Sequence, residues 1–209
     1  MTQFQTEQEH FWAGDFGNEY SKRNVGESLI ASNVALFARI LRTAPDVRTI
    51  LEFGANIGLN LQALRRLLPS AKLSAIEINK GAVEELRQWA GDSVQVYPQS
   101  ILDYKPDGKR DFVLSKTVLI HINPEELQKV FSLLYASSSK YICLCEYYSP
   151  VPVEVNYRGH TGKLFKRDFA GDMLRQYPDL RLRDYGFIYH GDLTFPQDDV
   201  NWFLLEKVK

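Results

Sequence analysis

Residues 50–60 read Ile50-Leu-Glu-Phe-Gly-Ala-Asn-Ile-Gly-Leu-Asn60, an apolar run that breaks at Gly54 and yields after Gly58 to a helical pattern. A chain turning sharply from strand to helix, with a ligand against its backbone, needs residues that lack Cβ or tolerate positive φ. Gly54 and Gly58 lack it, and Asn56 is among the few other residues that adopt the left-handed region. The stretch is less glycine-rich than G-x-G-x-x-G, so alone it is a weak nucleotide signal. A second element strengthens it. Residues 72–77 read as a strand ending in Glu77, at the spacing from Glu52 that one βαβ unit gives. A carboxylate there accepts hydrogen bonds from both hydroxyls of a ribose bound over the loop.

Outward from this unit the alternation continues. Strands are expected at residues 49–53, 72–77, 93–97, 111–115 and 141–146, and helices at 27–42, 59–68, 80–89, 124–135 and 166–177. Strands alternating with helices of this length make right-handed crossovers and a parallel sheet covered on both faces. Two last strands, 180–189 and 201–208, have between them a loop too polar and short for a crossover helix, so they pair antiparallel. The chain reads as one α/β domain, residues 27–209, behind an aromatic N-terminal strap or lid, residues 1–26. One segment breaks the rhythm. Residues 147–163 (YYSPVPVEVNYRGHTGK) form a long aromatic loop after a strand end, where open α/β sheets hold ligands.

Composition narrows the function. The 209 residues carry 25 Lys and Arg against 26 Asp and Glu, a formal net charge of −1 that disfavours a nucleic-acid or acidic-membrane partner. No apolar run is long enough to span a bilayer, and the N-terminus lacks a signal-peptide core. Cys143 and Cys145, two apart in a strand, read as small buried hydrophobes of a reduced compartment, and the expected location is cytoplasmic. His10, His160 and His190 lack metal-ligand spacing, so no metal is expected.

A dinucleotide site wants a clear helix N-terminus for its pyrophosphate. Here Ala55, Asn56 and Ile57 replace that pattern, and the Glu52 carboxylate repels phosphate and suits a cation, which points to S-adenosylmethionine. ILEFGANIGLN, IEIN, DFVLSKTVLIHI and the closing NWFLLEK resemble a class I S-adenosylmethionine-dependent methyltransferase. More narrowly, FWAGDFGNEYSKRN, KTVLIHINPEEL, EYYSP, YRGHTGKLFKRDFAG and FPQDDVNWFLLEK are similar to the pseudaminic acid biosynthesis-associated methylase family. The resemblance implies a Rossmann-like, seven-stranded, mostly parallel sheet with helices on both faces and an antiparallel last strand. It implies that Glu52, Gly54, Asn56 and Gly58 surround the methionyl part of the cofactor, that Glu77 holds the ribose, and that Ile78 packs on adenine. Ser100 and Ile101 would flank the adenine edge and face, and Lys116 would meet the cofactor from the fourth strand. Asn56 replaces the second glycine of the class, and Ser100 its usual Asp.

The acceptor side is less specified. His121 and Glu146 are the candidate bases, and Tyr147 is placed with them to stack on a sugar or base. The basic run Arg158, His160, Lys163, Lys166 and Arg167 reads as a pocket for phosphate or carboxylate, with Tyr148 in the same loop. Trp12, Asp15, Tyr20 and Arg23 would reach the site if the N-terminal segment closes over it. The amide-methylating signature of related enzymes is missing after the fourth strand. A small sugar or nucleotide-sugar substrate, linked to pseudaminic (nonulosonic) acid or surface-glycan synthesis and methylated on a hydroxyl or nitrogen, satisfies these features. A non-catalytic cofactor-binding module, or an enzyme for another small-molecule, peptide or lipid acceptor, remains open on sequence, as does the oligomeric state.

Overall fold

The computed structural model describes residues 4–208, so residues 1–3 and 209 of the two expected segments lie outside it. The chain opens with α1 (Glu7–Ala13), α2 (Asp15–Arg23) and α3 (Glu27–Leu41). It then alternates β1 (Thr49–Phe53), α4 (Leu59–Leu67), β2 (Lys72–Glu77), α5 (Lys80–Ala90), β3 (Val94–Pro98), β4 (Arg110–Lys116), α6 (Leu127–Ser137) and β5 (Ser138–Glu146). A small ribbon, β6 (Val153–Glu154) with β7 (Phe165–Lys166), precedes α7 (Phe169–Gln176), β8 (Leu180–Ile188) and β9 (Val200–Lys207).

The main sheet has seven strands in the order β3-β2-β1-β4-β5-β9-β8, parallel through β5, with β9 antiparallel to both its neighbours. Its order reverses between β1 and β4, which lie side by side with Phe53 against Ser115. The loops leaving β1, β2 and β4 therefore open along one edge, the crevice where such sheets bind ligands.

The inner strands read as near-continuous apolar runs because both faces are covered. Alternation along β5 divides the core. Tyr141, Cys143 and Cys145 pack with Phe37, Ile40 and Leu64 of α3 and α4. Ile142 and Leu144 pack with Phe131 and Leu134 of α6 and Met173 of α7. The two cysteine sulfurs, 3.7 Å apart on one face, are buried and unbridged. Among the described residues no helix is long and apolar enough to cross a membrane.

Three local expectations need correction. The helix expected at 166–177 begins only at Phe169, because Lys166 is spent on the β6–β7 ribbon and Asp168 caps α7 by accepting from the Gly171 N–H at 2.8 Å. The helix expected at 124–135 opens as a 3-10 turn, Pro124–Glu126, before α6. Residues 147–163 are partly regular, with β6 and a Tyr157–His160 bridge. The N-terminal segment folds as two short helices. A capping box starts α1: Thr6 Oγ1 accepts from the Glu9 N–H at 3.2 Å, and Glu9 Oε2 accepts from the Thr6 N–H at 2.8 Å.

Candidate active site

The β1–α4 loop takes the strained backbone its residues allow. Gly54, Asn56 and Gly58 have φ of 71°, 49° and 83°. A Cβ on Gly54 would lie 2.6 Å from Val118 Cγ2, so the loop after β4 can approach only because that atom is missing. Gly58 abuts Trp89, whose indole N–H donates to the Ile57 carbonyl at 2.9 Å.

Glu77 ends β2 almost fully buried. One of its oxygens accepts from the Asn56 N–H at 2.6 Å and the other from the Asn79 N–H at 2.7 Å. Burial pushes its pKa up, and these backbone donors oppose the shift. Glu52 is wholly buried on β1. Asn60 Nδ2 donates to its Oε1 at 2.6 Å, while its Oε2 has no protein partner. Burial raises its pKa to about 8, against the pull of Asn60 and Lys116. A buried carboxylate oxygen with no donor is costly unless a ligand supplies one.

These residues surround a cavity of about 470 Å³ on the switch-point edge. Its walls include Gly54, Asn56, Glu77 and Ile78. Ser100, Ile101 and Lys116 complete the part of the wall foreseen from sequence. Ser100 also starts a 3-10 turn, its Oγ accepting from the Leu102 N–H at 3.0 Å. Glu52 and Gly58 stand behind the wall rather than in it. Among the described residues no metal-binding cluster of His, Cys, Asp and Glu exists.

The N-terminal helices cover the cavity and are latched to its loops. Ser21 Oγ donates to Asn56 Oδ1 at 2.7 Å. Asn79 Nδ2 donates to Asn18 Oδ1 at 2.9 Å and to the Trp12 carbonyl at 3.2 Å. Tyr20 and Trp12 line the cavity, with the Trp12 ring 5.2 Å from that of Tyr20 and 4.5 Å from that of His121. Asp15 and Arg23 do not line it; Arg23 lies over the Phe16 ring.

His121 lines the cavity at the end of a 3-10 turn, Leu119–His121. Its Nδ1 pairs with the Lys163 carbonyl at 2.6 Å. A carbonyl only accepts, so Nδ1 carries the proton and Nε2 keeps its lone pair. Burial lowers its pKa to about 4 despite that carbonyl, so the ring is neutral near pH 7.

Glu146 departs from its expected role. It does not line the cavity, and its oxygens are occupied. Oε1 accepts from Ser115 Oγ at 2.8 Å, the Leu119 N–H at 3.1 Å and the Val118 N–H at 3.2 Å, and Oε2 from the Ile120 N–H at 3.5 Å. Burial lifts its pKa to about 7. Glu146 holds the turn that carries His121 and does not line the cavity. Tyr147 is also outside the cavity; its hydroxyl donates to Asp198 Oδ2 at 2.8 Å and its ring lies under Lys166.

The anion pocket expected from the basic run does not form. Lys163 pairs with Glu7 at 3.1 Å and Arg167 with Asp172 at 2.6 Å. His160 packs on Phe11 and Phe16, Arg158 lies over Tyr157, and Tyr148 is exposed beside Phe203. None of the five basic residues lines the cavity. Other wall residues were given no role from sequence, among them Asn33 on α3 and Gln197 and Asp198 before β9. Asn79, also in the wall, caps α5, its Oδ1 accepting from the Ala82 N–H at 2.9 Å.

Residues 50–138 match the family model described as a methyltransferase domain. No curated protein matches the chain in sequence. Solved structures match in fold. The Burkholderia thailandensis 1,6-didemethyltoxoflavin-N1-methyltransferase superposes with a TM-score of 0.72 at 13% identity, covering 100% of this chain and 93% of that one. Magnesium protoporphyrin IX methyltransferase from Synechocystis gives 0.67 at 15% identity, with 99% and 100% covered. An amino pentose methyltransferase from Micromonospora echinaspora gives 0.63 at 11% identity, with 92% and 96% covered. Residues 50–138 are thus similar to a methyltransferase domain, and the chain shares the fold of these enzymes over nearly its whole length.

Proposed function

We propose that the protein is an S-adenosylmethionine-dependent methyltransferase acting on a hydroxyl or nitrogen of a small sugar-derived substrate, in the cytoplasm, within pseudaminic (nonulosonic) acid or surface-glycan synthesis. The observation that carries the cofactor reading is Glu77. It lines the cavity at the end of β2, with both oxygens fixed by backbone N–H groups and further lone pairs left for a ribose. The other residues fit the same group. Gly54, with Val118 packed where a Cβ would stand, keeps its backbone on the cavity, Ile78 and Ile101 offer apolar faces to adenine, and buried Glu52 lies behind this wall with one oxygen that has no protein partner. Ser100 and Lys116 stand at the adenine edge and the β4 end. When bound, S-adenosylmethionine supplies an electrophilic methyl on sulfur. The protein's part would be to hold an acceptor in line with that methyl and to limit water there, a role we assign to the N-terminal helices that line the cavity.

The sugar reading draws on the motif resemblance and on a cavity of the size that small ligands fill, roughly 300–1,000 Å³. The fold shared with an amino pentose methyltransferase agrees with it.

Calorimetric titration with S-adenosylmethionine, S-adenosylhomocysteine and NADH tests the cofactor. Micromolar binding of the first two and none of NADH is expected, with a loss of roughly 100-fold in Glu77→Ala, since charge-assisted hydrogen bonds contribute about 1.5–3 kcal/mol each. Binding of NADH alone would overturn the reading.

A further inference from the structure

We propose that the acceptor is an amine, recognised by Gln8 and Glu9 of the N-terminal helix together with His121. The inference rests on the methyltransferase reading above and specifies its acceptor. Gln8 and Glu9 line the cavity and are each more than nine-tenths buried. Each has a side-chain oxygen, Gln8 Oε1 and Glu9 Oε1, without any protein partner. The opposite ends of the same side chains are engaged, which fixes their orientation. Gln8 Nε2 donates to the Gly162 carbonyl at 2.8 Å, and Glu9 Oε2 closes the capping box of α1. The next carbonyl in the chain, that of Lys163, holds His121 Nδ1. Consecutive carbonyls of one loop thus clamp two side chains from distant elements, and both keep an acceptor atom in reserve.

Two buried acceptors of the wall, Gln8 Oε1 and Glu9 Oε1, have no donor in the protein, His121 Nε2 keeps its lone pair, and one buried donor of the same wall, Trp12 Nε1–H, has no acceptor. The charge of the lining agrees. It includes the carboxylates of Glu9, Glu77 and Asp198 against a single lysine, Lys116, and no arginine. Glu9 has no cation within ion-pair distance among the described residues. Such a wall repels a phosphate and favours a group that carries N–H bonds and acquires positive charge. A free amine is that group. Its lone pair forms the N–C bond as the C–S bond breaks and that pair returns to sulfur; the resulting ammonium releases a proton to solvent. No strong base is needed. His121, too weakly basic to deprotonate a hydroxyl, suits the lesser task of accepting one N–H and turning the lone pair toward the methyl.

The test uses the full chain with a panel of aminodeoxy hexoses bearing the amine at different carbons, each beside its parent hexose, N-acetyl derivative and phosphate ester. Binding is measured to protein saturated with S-adenosylhomocysteine, and methyl transfer by mass. At least one free amine is expected to bind tenfold or more tightly than its parent and to be methylated on nitrogen. Glu9→Gln keeps the helix cap but places an N–H₂ where the free oxygen stands. It should erase the amine preference, as should Gln8→Met, with S-adenosylhomocysteine affinity and melting temperature held. Equal or tighter binding of the parent or phosphate forms overturns the proposal. So does an absence of amine binding, or an unchanged preference in both variants. Failure of the wild type to bind S-adenosylhomocysteine, seen before any amine is added, overturns the methyltransferase reading itself.

Discussion

The two walls of the cavity are built in opposite ways. The wall assigned to the cofactor comes from four short stretches, at or just beyond the ends of β1, β2, β3 and β4 of one parallel sheet. Its key contact, Asn56 N–H to Glu77, joins neighbouring loops. The wall assigned to the acceptor comes from α1 and α2, the turn at His121 and the loop before β9, held by bonds that span most of the chain, such as Gln8 to Gly162. The first is rigid because backbone geometry and sheet register dictate it. The second depends on side chains meeting after the domain has folded, so substitutions there should alter recognition more than stability.

The largest expected effect breaks the first wall at its carboxylate. Glu77→Ala should lose roughly 100-fold in S-adenosylmethionine affinity, while the amine preference of the residual complex persists. A loss of both together would mean the walls are one unit. Next comes Gly54→Ala, which forces an L side chain to φ 71° and sets its Cβ 2.6 Å from Val118. A cost of about 2 kcal/mol in denaturant unfolding is expected from strain and overpacking. Gly54→Ala with Val118→Ala should recover the overpacking part and leave the backbone part. Full recovery would show that the positive φ costs nothing.

The difference between the walls also explains what could be read beforehand. The seven-stranded sheet with its antiparallel last strand follows from strand–helix periodicity, a local property, and it forms as expected. The loop after β1 was legible because glycine and asparagine mark positive φ wherever they are needed. The acceptor side misled because residue type does not reveal a partner. Arg167 and Lys163 look free in sequence, yet each meets a carboxylate, Asp172 or Glu7. Glu146 looks like a base at a strand end, yet four donors converge on it. Gln8 drew no notice, since nothing local announces that its amide will meet the Gly162 carbonyl 154 positions away.

A smaller effect tests the second wall through pH. His121 has a folded pKa near 4 against 6.5 for an unperturbed histidine, because burial disfavours its charged form. Between those values the unfolded chain binds the extra proton, so this group's contribution to stability is complete above pH 6.5 and declines as pH falls toward 4. Glu52 and Glu146, raised to about 8 and 7, act in the opposite sense, so that their contribution declines as pH rises from 4.5 through those values. Wild type and His121→Phe share these carboxylates. The stability difference between them should therefore shift in favour of the variant, by roughly 1–2 kcal/mol, as pH drops from 7 to 5. A difference that stays flat over this range would mean that His121 is hydrated, and the acceptor wall open, in solution.

The smallest expected effect is the most discriminating for the loop. Arg158 stands over Tyr157 outside the cavity, in a left-handed conformation with φ 50°. An exposed cation–π contact contributes about 0.5–1 kcal/mol at most. Arg158→Ala should leave cofactor and amine binding within twofold of wild type. Read from sequence, the same arginine would anchor a phosphate, and its loss would cost tenfold or more for any phosphorylated sugar. Measuring amine and phosphate forms side by side in Arg158→Ala therefore separates a loop that only clamps, through the Gly162 and Lys163 carbonyls, from one that closes over an anion and makes this run part of the acceptor wall.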